Sequence, residues 1–116
     1  MLFNEIMATA SATSNRASVP LQIDDLKEYS VQVTFSGSNV VGTLVLQASN
    51  VPSPDNSFAS TDWIDIDGSQ QGVLASTNHM WNVDGAAYRW TRAKWTYTSG
   101  TGNIGMISIV KEPVQR

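Results

Sequence analysis

Residues 29–36, Tyr-Ser-Val-Gln-Val-Thr-Phe-Ser, place an apolar side chain at every second position. Tyr29, Val31, Val33 and Phe35 fall on one side of an extended chain, and Ser30, Gln32, Thr34 and Ser36 on the other. A helix would scatter that set around its circumference; a strand gathers it onto one face. The stretch is a half-buried β-strand, and such a face needs a second layer to cover it. The same rhythm returns after a Ser-Gly-Ser-Asn turn at 36–39, where Leu44, Leu46 and Ala48 are expected to point inward. Residues 50–57 hold Pro52, Pro54 and several turn formers and read as a loop. Residues 62–67 alternate again, with Ile64 and Ile66 expected inside and Trp63, Asp65 and Asp67 outside. A turn at 68–72, short strands at 73–76 and 79–84, a hairpin turn at 98–103 and a last strand at 104–111 complete the pattern. Only 24–29 has room for a turn of helix. The fold class is all-β: one antiparallel β-sandwich, jelly-roll or immunoglobulin-like, of about eight strands.

A chain of 116 residues makes one domain. Residues 8–18, Ala-Thr-Ala-Ser-Ala-Thr-Ser-Asn-Arg-Ala-Ser, are too small and polar to build a core. Residues 1–18 are therefore expected to form an extended N-terminal arm, with 19–116 as the sandwich. The apolar tip of the arm, Leu2, Phe3, Ile6 and Met7, would order against a neighbouring subunit rather than stay in water.

Composition narrows the function. There is no cysteine, which removes disulfides, thiolate metal sites and a cysteine nucleophile together. The net charge of −3 speaks against direct nucleic-acid binding, which draws most of its affinity from basic side chains. The first fifteen residues have neither a basic n-region nor a long apolar run, so neither a signal peptide nor a membrane anchor is expected.

Candidate chemical sites fail one by one. In Asp62–Gly68, setting Gly68 at the sixth place of a calcium loop puts Trp63 at the first and Leu74 at the twelfth, where carboxylates are required. His79 is the single histidine; no serine sits in a nucleophile elbow, and zinc would need more nitrogen or sulfur ligands. No catalytic, metal or cofactor residue is assigned. The stretch 86–103 is aromatic and basic, with Tyr88 and Trp90 out of phase with Ala93, Trp95 and Tyr97. A bulge near Thr91–Arg92 would bring both sets to the core and leave Arg89, Arg92 and Lys94 outside, opposite the acidic 62–67 segment. Exposed aromatics beside basic groups would instead suit a stacked sugar. A core strand is the preferred reading.

Five fragments, taken in order, resemble a known family. They are the alternating strand opening Tyr29-Ser30, Gly42-x-Leu44-x-Leu46-Gln47-x-Ser49-Asn50, Trp63-x-Asp65-Ile66, Trp81-Asn82-Val83 with Tyr88-Arg89-Trp90-x-Arg92, and Thr98-Ser99-Gly100-Thr101-Gly102. Over residues 29–110 the chain is similar to small β-sandwich virion structural proteins of tailed bacteriophages and prophages. The chain departs from the pattern at Thr91 and Ala93, where larger β-branched residues are expected. The resemblance implies a capsid decoration protein or another head- or tail-associated component, not an enzyme, and supplies no ligand residue. It would be made in the host cytoplasm and reside in the virion as a homo-oligomer, bound to the major capsid protein or neighbouring virion subunits, with no direct nucleic acid and no membrane. Contacts are expected from Leu2, Phe3, Ile6 and Met7, with Trp63 and Trp81 as aromatic anchors. The alternative is a carbohydrate- or receptor-binding module that stacks a glycan on Trp63, Trp81 or Trp90.

Overall fold

Every regular element of the computed structural model, which describes residues 2–23 and 27–111, is a β-strand. In chain order these are β1 (Leu2–Ser11), β2 (Arg16–Ala17), β3 (Leu21–Gln22), β4 (Lys27–Ser36) and β5 (Val41–Ser49). They are followed by β6 (Ile64–Asp65), β7 (Gln71–Val73), β8 (His79–Ala86), β9 (Trp90–Ser99) and β10 (Asn103–Lys111). One antiparallel sheet runs β1-β10-β4-β8. The other is built on the β9–β5 pair, with β2 and β3 along β9 and β6 and β7 along β5. The all-β sandwich expected from the two-residue period is the observed fold. Among the described residues its strands number ten, more than expected, because pieces as short as β2 and β3 hold too few positions for a period to register. Of the helical turn considered at 24–29, residues 24–26 lie outside the described residues, and β4 begins at Lys27.

The core fills the space between the sheets as the alternation requires. Tyr29, Val31, Val33, Ile104, Met106 and Val110 of one sheet meet Leu44, Leu46, Ala93 and Trp95 of the other. Trp95 is the largest enclosed side chain, and its ring meets Phe35 at 5.1 Å. Burying an indole of this size contributes on the order of 4–6 kcal/mol before entropy is counted. Gly42 makes the room: a methyl group there would run into the Trp95 ring and the Thr96 carbonyl.

Residues 2–11 do not stand off the sandwich as an arm. They form β1, registered along β10 from Leu2↔Val110 to Ser11↔Asn103 with two bulges. Ile6 and Met7 are buried in the common core, so neither is an exposed contact for a neighbour. The side chains of Leu2 and Phe3 lie outside the described residues. The segment 12–18 is equally tied down: Ala12 N donates to Gly102 O, Trp95 Nε1 donates to Ala12 O at 2.9 Å, and Ser18 N donates to Ala93 O. A small, polar, low-complexity run thus serves as the crossing from one sheet to the other, because Ala12 and Ser18 are small enough to pack against the Trp95 strand.

Two further expectations change. The turn at 98–103 is no hairpin, since β9 and β10 belong to different sheets and the chain crosses between them there. Gly100, at φ 86°, lies so close to Asn39 O that a side chain would collide, while Thr101 N donates to Asn39 Oδ1 at 3.2 Å. Nor does β9 bulge at Thr91–Arg92. Its register with β5 is regular from Ser49↔Trp90 to Gly42↔Tyr97, and the one irregularity lies beyond, between Val41 and Gly42. Thr91, Ala93 and Trp95 therefore face the core, and Trp90, Arg92 and Lys94 face the other way.

Candidate contact surfaces

The outward side of β9 and β5 meets solvent only in part, at Thr43 and Thr96. Segment 50–63 folds across it, and under that cover Val45, Gln47, Trp63 and Arg92 are all buried. Arg92, 1% exposed, is the centre. Its Nε donates to Gln47 Oε1 at 2.8 Å, and its Nη1 donates to Asn56 O and Oδ1 at 3.1 Å and to Ser57 O at 3.0 Å. Nη2 donates to Phe58 O at 3.4 Å. The Trp63 ring covers the guanidinium at 4.7 Å, and Lys94 Nζ stands 4.6 Å from the Phe58 ring. Gln47 passes the polarity onward, its Nε2 donating to Asp65 Oδ1 at 2.7 Å. Five donors in a fixed fork suit a cluster of carbonyls in a way an ammonium does not. Burial pushes the guanidinium down from its ordinary value, and Asp55 partly offsets this. The pairing expected between the outer basic residues and the 62–67 carboxylates is thus replaced by a cation bonded to loop backbone.

This second layer also reverses the expected burial of 63 and 64, although not their faces: Asp65 pairs with Gln47 on the outer side and Ile64 with Ala48 on the inner parity. Trp63 is 5% exposed, with its Nε1 donating to Asp55 O at 2.8 Å, while Ile64 is exposed. Alternation translates into burial only while one side is wet, and here the loop makes the outer side dry. Trp81 is 8% exposed, its Nε1 donating to Ser69 O at 3.0 Å and its ring meeting His79 edge-on at 4.9 Å. Neither ring can serve as a glycan platform or an aromatic anchor, because their faces are already in contact with this chain. Trp90 is half-buried, and its Nε1 is enclosed without a partner. His79 is the first residue of β8. Its Nε2 is enclosed and unpartnered, and burial pushes its pKa down.

The departures at Thr91 and Ala93 have a structural reason. Thr91 Oγ1 donates to Gln47 O at 3.0 Å and bonds the Tyr29 hydroxyl at 3.1 Å, and that hydroxyl bonds Tyr88 at 2.6 Å. A purely apolar residue at 91 would leave the buried Tyr29 hydroxyl with fewer partners. Ala93 N receives cover from Ser18, whose Oγ accepts its hydrogen at 2.9 Å, and a larger side chain would crowd fully buried Leu46.

An open cleft of about 590 Å³ lies beside the end of β5, lined by Ala48, Ser49, Asn50, Asp62, Ile64 and Tyr88 among others. Its polar atoms hold the protein's own backbone. Asp62 Oδ2 accepts from Asp55 N, Asn50 Oδ1 from Arg89 N and Ser49 Oγ from Val51 N. The Tyr88 hydroxyl is bonded to Tyr29. No group of three or more His, Asp or Glu side chains fit to hold a metal occurs among the described residues.

The open side of β1-β10-β4-β8 is different. Here Met80 is 46% exposed and Ile107 and Ile109 are 38% exposed. Register sets Glu5, Ile107, Gln32 and Met80 in one row across four strands, and Ile109, Ser30 and Asn82 in the next. Thr9 lies over Gly105, which stands opposite Thr34. Sequence reasoning missed these residues although a signal was present. In Ile104–Val110 the apolar residues occupy both parities, so that strand has no wholly polar side. No family model matches this chain, and no curated protein is significantly similar to it.

Proposed function

We propose that the chain is a virion structural protein of a tailed bacteriophage, a capsid decoration protein that strengthens the head by binding its outer lattice. The observation that carries this reading is the resemblance over residues 29–110, because its signature positions are the ones on which the sandwich depends. Tyr29, Leu44, Leu46 and Trp81 line the core, Arg92 and Gln47 hold the covering loop, and Gly100 permits the crossing between sheets. A likeness at such positions is a likeness of the whole scaffold. The action is physical: a stiff slab of 47 × 28 × 24 Å spans neighbouring capsid subunits and resists their separation under internal pressure.

Because β1 belongs to the sheet, contact through a free arm is dropped, and the slab's surface takes that role. Repetition over a lattice turns a modest contact into a firm hold when copies are joined to one another. The test is co-sedimentation of the purified full-length chain with shells of the phage or prophage that encodes it. Decorated shells, with extra density at equivalent lattice positions by electron microscopy, are expected. Shells that leave the protein in the supernatant at micromolar concentrations would overturn the reading.

A further inference from the structure

The two broad faces of the sandwich are finished differently. Segment 50–63 covers the β9–β5 face with its own small core of Val45, Trp63 and the Arg92 stem. The β1-β10-β4-β8 face instead presents Met80, Ile107 and Ile109 to solvent, with Gln32, Ser30, Thr34 and Asn82 between them. Among the described residues the middle of this face has no charged side chain. Its charges lie at the margin: Glu5 on β1, Asp84 beyond Asn82, and Glu28 opposite Lys111 in register. A neutral centre of exposed apolar and uncharged polar side chains within a charged rim fits a protein–protein contact.

We infer that this face docks on a capsid subunit, against a flat patch with an apolar centre and a basic rim. The inference rests on the proposed function and names the surface that would perform it. Rim charge selects the occupant. Among the described residues Lys111 offsets Glu28, and Glu5 and Asp84 outnumber Arg16, whose Nη2 donates to Ala8 O beside β1, so the edge is acidic and attracts a basic border. The same sign disfavours a nucleic acid or an anionic membrane, and it sets like charge against like in a face-to-face pair of copies. Area argues the same way. Four strands at about 4.8 Å spacing and six residues at about 3.4 Å make about 400 Å². That is about half of what each partner gives to a stable isolated pair. A contact this small holds a dimer poorly but serves on a lattice, where joined copies bind many equivalent sites at once.

The experiment uses the full chain and shells of the encoding phage or prophage. Ile107→Glu on β10 and Met80→Glu on the flanking strand β8 place a charge among the exposed apolar side chains without entering the core, and Thr43→Glu places one on the opposite side of the sandwich. Near-ultraviolet circular dichroism and thermal midpoint establish that each variant is folded. The expected result is binding by wild type and Thr43→Glu, with apparent affinity at least about ten-fold weaker for Ile107→Glu and Met80→Glu. Glu5→Lys should lower the rate of binding and its dependence on salt. If wild type binds and both Ile107→Glu and Met80→Glu bind equally well, the face is wrong while the decoration role stands. If wild type itself does not bind, both fail. A wild-type dimer that Ile107→Glu splits in sedimentation velocity would make a second copy the occupant and overturn the inference.

Discussion

Arg92 decides how the outer face of one sheet is used. An arginine on an outward position is ordinarily solvated, yet here it is enclosed and bonded to the carbonyls of residues 56, 57 and 58. Removing it strips those acceptors of a donor and uncovers one side of Trp63. Arg92→Met is expected to destabilise the fold by about 2–4 kcal/mol in urea titration, and Arg92→Lys to recover only part of that loss. A lysine variant as stable as wild type would show that the fork geometry is irrelevant. Tyr29 sets a second expectation. Burial pushes its phenol far up; the Thr91 bond acts against this and Tyr88 adds to it. The folded state therefore holds the phenolic proton more tightly than the unfolded chain, which releases it near about pH 10. That contribution is complete below about pH 10 and is lost as pH rises beyond it. The urea midpoint should fall between about pH 10 and 11, and Tyr29→Phe should flatten the decline; an unchanged slope in that variant would rule the tyrosine out.

Among the elements, composition misjudged β1 and left the role of segment 50–63 unread. Segment 8–18 has the small polar content of a tether, but β1 covers one edge of β10 with Ile6 and Met7 in the core. Deleting residues 1–11 is expected to expose the flank of Ile104 and Met106 and to unfold or aggregate the protein, lowering its thermal midpoint by more than about 10 °C. A deletion variant that melts like the full chain would mean that β1 is dispensable. The proline-containing loop, for its part, was read correctly as a loop from Pro52 and Pro54, but its work as a lid was invisible. Nothing local links Asn56 to Arg92, which is 36 residues away. Within single strands the reading was reliable. Tyr29 to Phe35 and Leu44 to Ala48 have the faces that alternation assigned, even though segment 50–63 buries Val45 and Gln47 on the outer side of β5.

At the scale of the whole molecule, nearly all pairing joins distant parts of the chain. β1 meets β10, β4 meets β10 and β8, and β5 meets β9, whereas no two long strands adjacent in sequence pair with each other. Loops of that length must close before any contact stabilises them, which slows folding. Refolding followed by tryptophan fluorescence, dominated by the burial of Trp95, should take from about ten milliseconds to seconds, and a sub-millisecond phase recovering the full signal would contradict the topology. The candidate site was barely legible for the same reason. Trp63, Trp81 and Trp90 were singled out for their type, yet type cannot say whether other backbone closes over an indole, as that of Asp55 does for Trp63 and that of Ser69 for Trp81. The exposed Ile107 and Ile109 were readable in the mixed parity of β10, but their meeting with Met80 and Gln32 depends on which strands are neighbours. The sequence by itself determined that this chain forms strands, where most of them run and which side of each is apolar, since those properties follow from the order of side chains along a few residues. Tertiary structure alone decided which sheet each strand joins, which outer face a loop closes and which stays bare, because those outcomes depend on contacts between segments that share no local rule.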